Sequence, residues 1–239
     1  MKVYYDFHIH SCLSPCGDND MTPNNIVNMA VIKGLDAIAI TDHNCGENAQ
    51  AAIDAAQELP LTVIPGMEIE TSEEIHIIAL FETVFQLAKM QDIVMANMPP
   101  IKNKPAIFGE QIIMDKHDKI IDFKEQFLIT ACGLNIFEIT KKVRELGGVV
   151  FPAHIDKTSY SVISNLGSIP DELEFQTVEV KASPVPQNIA DMGVLNKYNI
   201  LCNSDAHYLW DISEKEHYIE CKSAEIKDIL HNISLYIQH

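Results

Sequence analysis

Short apolar runs alternate with helix-like segments along most of the chain. The runs that predict strands are "KVYYDFHI", "LDAIAITD", "LTVIPGMEIE", "EIHIIALFE", "VVFPAHI", "TVEVKAS" and "NILCNSDAH". Most of them are continuously apolar, which is typical of strands that are buried on both faces. The alternation therefore predicts an α/β domain with a parallel sheet, either closed into a barrel or open.

The segments between these strands carry helix start and stop signals. "TPNNIVNMAVIKG" predicts a helix with Thr22 as its N-cap, Pro23 in its first turn and Gly34 at its end. Further helices are predicted from about Thr83 to Met95 and in the segments "ENAQAAIDAAQEL", "IFEITKKVRELGG" and "SAEIKDILHNISLYI". Strand and helix thus alternate for most of the length, as in β/α units.

Residues 97–134 break this rhythm. The turn-rich "NMPPIKNKPAIFGE" is followed by "QIIMDKHDKIIDF", which predicts a β-hairpin with its turn near Lys116 to Asp118. We expect the segment to be an insertion in a single domain that spans residues 1–239. Two roles remain open for it: a loop that covers a helix, or a lid that contributes to substrate choice.

Composition limits the classes of protein. The 239 residues are 47% apolar, without a membrane-spanning run or a charged-then-apolar leader, which predicts a soluble, cytoplasmic protein. The net charge of −17 argues against stable binding of nucleic acid, although bound divalent cations would invert the local field. Arg144 is the single arginine, so metals and lysines would have to bind a phosphate. The six cysteines form no Cys-x-x-Cys pair and are expected to be reduced.

Side chains of metal-binding type stand at the predicted strand ends. They are His8, His10, Asp42, His43, Glu68, His76, His154, Asp205 and His207, and they include six of the ten histidines. The carboxyl ends of parallel strands meet on one face of an α/β fold, where sites form. The positions of these side chains therefore predict one common site.

Spacing explains how pairs of these residues would act together. Residues i and i+2 of a strand point to the same face, so His8 and His10 can hold one ion. Asp6 shares their face and is expected to orient an imidazole. Asp205 and His207 repeat the spacing on a later strand.

The kinds of donor atom narrow the choice of metal. The two carboxylate oxygens of Glu68 can bridge two cations. Imidazoles and carboxylates, without an ordered set of thiolates, suit zinc, manganese or iron. The expected cofactors are therefore divalent ions of these metals.

The motifs His-x-His, Thr-Asp-His, Gly-x-Glu, His, Ala-His and Ser-Asp-Ala-His follow one another from residue 8 to residue 207. In this order they resemble the polymerase and histidinol phosphatase (PHP) domain family. The resemblance implies a distorted seven-stranded (β/α)7 barrel, two or three divalent metal ions and hydrolysis of phosphate esters. The final helix would be the last element of that barrel.

The resemblance also implies three sets of metal ligands. His8, His10, Glu68 and Asp205 would hold one ion, His43 and His207 a second, and Glu68, His76 and His154 a third. Members of the family often place a His or Asp in the loop after the first strand. Here Cys16, Asp18 and Asp20 are the candidates, and Asp18 is the expected ligand.

The expected function is a metal-dependent phosphoesterase that acts on a small phosphorylated metabolite or nucleotide. Two cations about 3.5–4 Å apart lower the pKa of a shared water to roughly 7, so that metal-bound hydroxide can attack the phosphorus. Glu68, Asp205 and His207 are expected to be catalytic, with Lys157 and Lys181 binding the phosphate. Lys157 could instead be an exposed loop residue, and Lys181 could pair with its neighbour Glu179.

Two other functions remain open. One is a nuclease or a polymerase-associated proofreading module, which the net charge and the lack of a second domain disfavour. The other is a metal-binding regulatory protein without turnover, which the complete ligand set disfavours. The favoured partner is a small phosphorylated substrate, with no stable binding of nucleic acid and no membrane association.

Overall fold

The computed structural model of the protein describes residues 1–235. Within these residues the strands are β1 (Lys2–Ile9), β2 (Ala37–Ile40), β3 (Thr62–Glu70), β4 (His76–Leu80), β5 (Ile112–Met114), β6 (Ile120–Phe123), β7 (Val149–Pro152), β8 (Thr177–Val180), β9 (Asn199–Cys202) and β10 (Tyr218–Glu220). The helices are α1 (Pro23–Ile32), α2 (Ala49–Ala55), α3 (Val84–Asn97), α4 (Pro105–Phe108), α5 (Ile136–Glu145), α6 (Val162–Leu166), α7 (Gln187–Ala190), α8 (Val194–Lys197) and α9 (Ile226–Ser234). The chain is an α/β protein, as its hydrophobic pattern predicts.

Six strands form the main sheet in the order β10-β1-β2-β3-β4-β7. β1, β2 and β3 are parallel, whereas β4 runs antiparallel to both β3 and β7. The expectation of a parallel sheet is therefore wrong for β4. The reason is the connection between β3 and β4: residues 71–75 are too few for the crossover that a parallel pair needs.

A second pair of strands, β8 and β9, lies parallel and follows β7. The residues after β9 return to β1: the amide of His10 donates to the carbonyl of Ala206 at 3.0 Å. The sheet is thus curled like half of a barrel. The number of barrel strands stays a prediction.

The hydrophobic core holds this curled sheet on both sides. Val3, Tyr5 and Phe7 of β1 pack with Phe151 of β7 and with Ile229 of α9 in one buried cluster. Separate clusters lie under α1 and α2 and under α3 and α5. Burial on both faces explains why the strands are continuously apolar.

The helix ends follow the predicted signals in α1 but not in α2. Thr22 accepts a hydrogen bond from the amide of Asn25, and Pro23 is the first residue of α1. α2 is shorter than predicted at both ends. At its start the side chain of Asn48 donates to Ser11 Oγ and to the carbonyl of Ile112 instead of capping the helix, and after Ala55 the chain forms a turn. Among residues 1–235, no helix is both long enough and apolar enough to cross a membrane.

The segment 97–134 contains the predicted hairpin. β5 and β6 pair antiparallel, and their turn closes where the amide of Lys119 donates to Asp115 Oδ1. The amide of Ile112 donates to the carbonyl of Cys12 at 2.9 Å, so the hairpin is joined to the loop that follows β1. The hairpin is confirmed, whereas its status as an insertion stays a prediction.

Candidate metal centre

The side chains singled out in the sequence converge at one edge of the curled sheet. His43 follows β2 and forms an isolated bridge to Glu68 in β3. Because β4 runs against β3, its first residue, His76, reaches this same edge opposite Glu70. His154 follows β7. Asp205 and His207 follow β9.

His8 lies in an irregular part of β1, and His10 directly follows that strand. The register of β1 with β2 shifts between Asp6 and Ile9, and such irregularities re-aim side chains next to functional sites. Both imidazoles are fully buried, and their Nε2 atoms are 3.1 Å apart. The structure thus brings the two rings together, as the spacing predicts.

The carboxylate of Glu68 is the centre of the cluster. Five imidazoles lie within 3.4 Å of its two oxygens: His8, His10, His43, His76 and His154. Oε1 is 2.8 Å from His76 Nδ1 and 3.2 Å from His154 Nε2. Oε2 is 3.0 Å from His43 Nδ1. Each oxygen therefore faces a different group of imidazoles, which is the arrangement expected of a bridging carboxylate.

Asp205 forms a second buried carboxylate beside the same imidazoles. Its Oδ1 lies 3.3 Å from His10 Nε2 and 3.5 Å from His8 Nε2. Its Oδ2 is 2.5 Å from Lys157 Nζ and 3.5 Å from Lys181 Nζ. Lys157 is therefore not a free surface lysine. Lys181 pairs with Asp205, and not with Glu179, which the sequence offered as an alternative partner. Both ammonium groups lie next to the centre.

Glu179 of β8 contacts His8 and His154. Its Oε1 lies 2.9 Å from His8 Nδ1 and accepts the amide of His154 at 2.9 Å. Its Oε2 accepts a hydrogen bond from Asn203 Nδ2 at 2.7 Å. A carboxylate on one ring nitrogen fixes the orientation of the imidazole, so Glu179 directs the Nε2 of His8 toward the centre.

Asp6 has a different role from the one expected. Its two oxygens accept the backbone amides of Ser204 and Ser213, at 3.2 and 2.9 Å. The expectation that Asp6 orients an imidazole side chain is therefore wrong. It secures the loop that carries Asp205 and His207, while Glu179 orients His8.

The first loop brings Cys16, rather than Asp18, to the histidines. Ligand atoms of Cys16, His10, His43 and His207 all lie within 4.8 Å of one another. Asp18 is outside this group; its Oδ1 accepts the amide of Asp20. The expectation of Asp18 as the ligand from this loop does not agree with the geometry, because the backbone turns its carboxylate toward the next residues of the loop.

Comparison with known families adds an independent observation. The profile of the PHP domain matches residues 6–133, which is more than half of the chain. The chain belongs to the PHP domain family. The resemblance of the motifs to this family is confirmed.

Individual relatives match this PHP chain over different lengths. The 5′-3′ exoribonuclease Rnm of Salmonella typhimurium is 41% identical over 87 residues, which are 33% of this chain and 27% of that protein. Uncharacterized protein YqxK of Bacillus subtilis is 25% identical over 258 residues, covering 95% of this chain and 60% of that protein. The chain therefore spans less than two thirds of the length of either relative.

A solved structure shares the fold. The lesion-specific endonuclease Q of Pyrococcus furiosus superposes with a TM-score of 0.72 at 20% identity, over 98% of this chain and 56% of that chain. Another structure of endonuclease Q, solved with a 27-mer duplex that has an abasic lesion at the active site, gives a TM-score of 0.67 at 20% identity, with the same coverage of 98% and 56%. These likenesses confirm the PHP-type α/β fold.

The expected partners are wrong. The net charge and the lack of a second domain favour a small phosphorylated substrate without stable binding of nucleic acid, yet relatives such as Rnm are named exoribonucleases, and endonuclease Q is solved with a DNA duplex. Net charge describes the whole surface. The field at a site depends instead on nearby groups, here Lys157 and Lys181, and on any bound cation.

The donor set of this PHP chain fits divalent metal ions. Among the described residues, four buried atoms of the centre make no hydrogen bond of acceptable geometry: His76 Nε2, His154 Nδ1, and the pair His43 Nδ1 and Glu68 Oε2, which lie 3.0 Å apart. Buried polar atoms are almost always paired, so four orphans in one cluster indicate a missing cationic partner. Two further donor groups, each within 4.8 Å, are His8, His10 and Glu68, and His43, Glu68 and His76.

The pKa values of Glu68 and His10 are both lowered in the centre, for different reasons. Burial alone would raise the pKa of Glu68, but the charges of His76, His8 and His43 hold that pKa well below its usual value. Burial, reinforced by the charge of His207, lowers the pKa of His10 well below its usual value. Glu68 is therefore ionised and His10 is neutral near pH 7, which are the forms that bind a metal.

The contacts that Glu179, Asn203 and Tyr160 make near the centre were not predicted from the sequence. Glu179 carried a signal, a carboxylate inside the apolar run "TVEVK". Asn203 and Tyr160 carried none that pattern alone reveals. The ring of Tyr160 stacks on that of His76 with 4.9 Å between centroids, and its backbone has a φ of 56°, which is rare for a bulky residue. Its carbonyl accepts the amide of His76 at 2.9 Å, which holds this conformation.

Proposed function

We propose that the protein is a metal-dependent phosphodiesterase that hydrolyses nucleic-acid strands. The observation that carries this proposal is the Glu68 carboxylate among five imidazoles, bordered by Asp205 and two lysines. Such a centre binds cations and presents ammonium groups to an anion in the same place. The named activities of the exoribonuclease relatives support a nucleic acid as that anion.

We assign the ligands to two or three ions of zinc, manganese or iron. The proposed sets are His8, His10, Glu68 and Asp205; His43 and His207; and Glu68, His76 and His154. Their mutual distances support this assignment, because the carboxylate of Glu68 contacts at least one histidine of each set. Bound ions would lower the pKa of a coordinated water and neutralise charge on the phosphoryl oxygens. Glu68, Asp205 and His207 would thus be catalytic through the ions that they hold.

Side chains beside the ions would then position the nucleic-acid strand. Lys157 and Lys181 share one carboxylate oxygen of Asp205 and have side chains that are 38% and 48% exposed. They can therefore turn from Asp205 to a phosphate oxygen without leaving the site. Glu179 would keep His8 in its orientation throughout, because it holds both the ring and the neighbouring backbone of His154.

The finer architecture is part of the proposal. We place β1, β2, β3, β4, β7, β8 and β9 as the seven strands of a distorted (β/α)7 barrel in one domain. Residues 97–134 would be the insertion, a lid whose hairpin secures the loop after β1. The bond from Ile112 to Cys12 supports this role, since that loop also carries Ser14 and Cys16, which lie beside histidines of the centre.

The activity can be tested with end-labelled single-stranded RNA and DNA, each in linear and circular form. Protein loaded with manganese, iron or zinc should hydrolyse at least one of these strands, and chelator should stop the reaction. Glu68→Gln should remove the activity. Glu70→Gln is the matched control, because Glu70 is also buried in β3 but belongs to none of the donor groups.

Different outcomes separate the alternatives. Cleavage of linear strands alone would indicate an exonuclease, and cleavage of circles an endonuclease. Hydrolysis of phosphate monoesters without any cleavage of strands would contradict the proposal. Full metal loading without hydrolysis of any substrate would contradict it as well, and would indicate a regulatory protein.

A further inference from the structure

The loop after β1 places the thiol of Cys16 in the centre. Hydrogen bonds hold this loop on both sides of Cys16. Before the thiol, Ser14 Oγ donates to Asp42 Oδ1 at 2.7 Å. After it, the amide of Asp18 donates to the carbonyl of His207 at 2.9 Å. Gly17 packs so closely that an added Cβ would stand 2.5 Å from the carbonyl oxygen of Ser11. The position of Cys16 is therefore fixed by its neighbours.

The thiol meets three imidazoles, which makes a set of four donors. Ligand atoms of His10, Cys16, His43 and His207 lie within 4.8 Å of one another, and the ring of His10 is 4.5 Å from that of His43 and 4.4 Å from that of His207. His43 is 5% exposed, and its Nδ1 faces Glu68 Oε2 at 3.0 Å without making a hydrogen bond of acceptable geometry. Four donors of this kind match the tetrahedral shell of zinc.

We propose that Cys16 is a thiolate ligand, which completes a three-histidine, one-cysteine site for a borderline transition metal such as zinc or cobalt. The proposal rests on the metal centre of the proposed function and specifies its second ion. It adds Cys16 to His43 and His207 and moves His10 from the first set to this one. His10 belongs to one set only, because its Nδ1 faces Ser14 Oγ at 3.1 Å and its Nε2 can bind only one ion. Sulfur ligands favour zinc, cobalt and iron over manganese or magnesium, which prefer oxygen. An oxygen ligand from Asp18 would have given the opposite preference, but Asp18 lies outside the donor group.

The first test uses cobalt as a spectroscopic probe. Metal-free protein titrated with cobalt(II) should develop a thiolate-to-cobalt charge-transfer band in the near ultraviolet. Cys16→Ser should lose this band and bind the cobalt at this site at least about tenfold more weakly, since even losing a group that only supports a ligand costs that much. Cys202→Ser is the matched control, because Cys202 is also partly accessible but its sulfur lies 3.8 Å from the carbonyl of Lys181.

A second test needs no variant. All six cysteines are free, and Cys16 is the exposed one. Saturating zinc should protect Cys16 from alkylation, as read by peptide mass spectrometry, while magnesium should not. Equal labelling of Cys16 with and without zinc would overturn the proposal, as would a cobalt band that survives in Cys16→Ser.

The two proposals fail in different ways. Cobalt bound without a charge-transfer band removes Cys16 from the metal shell, even if strands are hydrolysed. A band that depends on Cys16 establishes the ligand, even if no nucleic acid is cleaved. Cys16→Asp adds a further readout: it should lose the band and shift metal preference toward manganese.

Discussion

Replacing Lys157 by alanine tests whether the ammonium group binds the substrate rather than supporting the metal centre. Lys157 Nζ lies 2.5 Å from Asp205 Oδ2, and its side chain is 38% exposed. Hydrogen bonds to charged groups contribute about 1.5–3 kcal/mol. Because solvent screens a side chain that is this exposed, the lower end applies, about 1.5 kcal/mol. This corresponds to roughly a tenfold loss of kcat/KM.

The assay is steady-state hydrolysis of a single-stranded oligonucleotide at low and at high salt, with the metal content of each protein measured in parallel. The metal content of Lys157→Ala should not fall, because the ammonium competes with cations for Asp205. Lys181→Ala should lose less activity, since Lys181 is 3.5 Å from the same oxygen and 48% exposed. The double variant should lose less than the sum, because both lysines act at one point.

Lys102→Ala is the control, since Lys102 is 79% exposed and pairs with Glu125 on the hairpin segment. A contact with the phosphate should persist at high salt, whereas steering from a distance should fade. The reasoning is refuted if Lys157→Ala and Lys102→Ala have the same kcat/KM at low salt.

The remaining predictions concern the metal shell. Glu68→Gln should reduce hydrolysis by orders of magnitude and lower the metal content measured by elemental analysis, since it removes the negative charge that faces five imidazoles; near-normal turnover would contradict the bridging role. Glu179→Gln should weaken metal binding by about 10–100-fold in a chelator competition, because His8 loses the carboxylate on its Nδ1; an unchanged affinity would exclude a positioning role. Metal at about 100 times its Kd should stabilise the protein by about 2.7 kcal/mol and raise its Tm by roughly 5–10 °C, measured by calorimetry, and chelator should reverse the shift. No change in Tm would mean that the orphaned imidazole atoms have another partner.

The sequence predicted the positions of the elements better than their directions. The start of α1 follows from Thr22 and Pro23, whose effects are local and act within one turn. The direction of β4 depends on how the chain connects β3 to β4, and the hydropathy of the two strands does not determine that connection. The length of the connection did encode it, because residues 71–75 suffice for a hairpin and not for a crossover.

The same distinction holds in the centre. The histidines at strand ends could be grouped from pattern, because strand ends share an edge. The positions of Cys16 and Glu179 in the centre could not be predicted from this pattern, since each contacts residues that are far away in the sequence. Glu179 lies 171 residues from His8. Cys16 lies near His207 because the loop after β1 is hydrogen-bonded to the segment that follows β9.

The acidic composition and the proposed nucleic-acid substrate are compatible once the charges are located. A net charge of −17 spread over the surface repels a strand almost everywhere. At the centre, Lys157 and Lys181 and the ions held around Glu68 would reverse that field over a distance of about one Debye length, ~8 Å. A strand would then bind by the few phosphates that enter this region and not along the surface. Binding of this kind depends on the bound metal, and it would be weak in the metal-free protein.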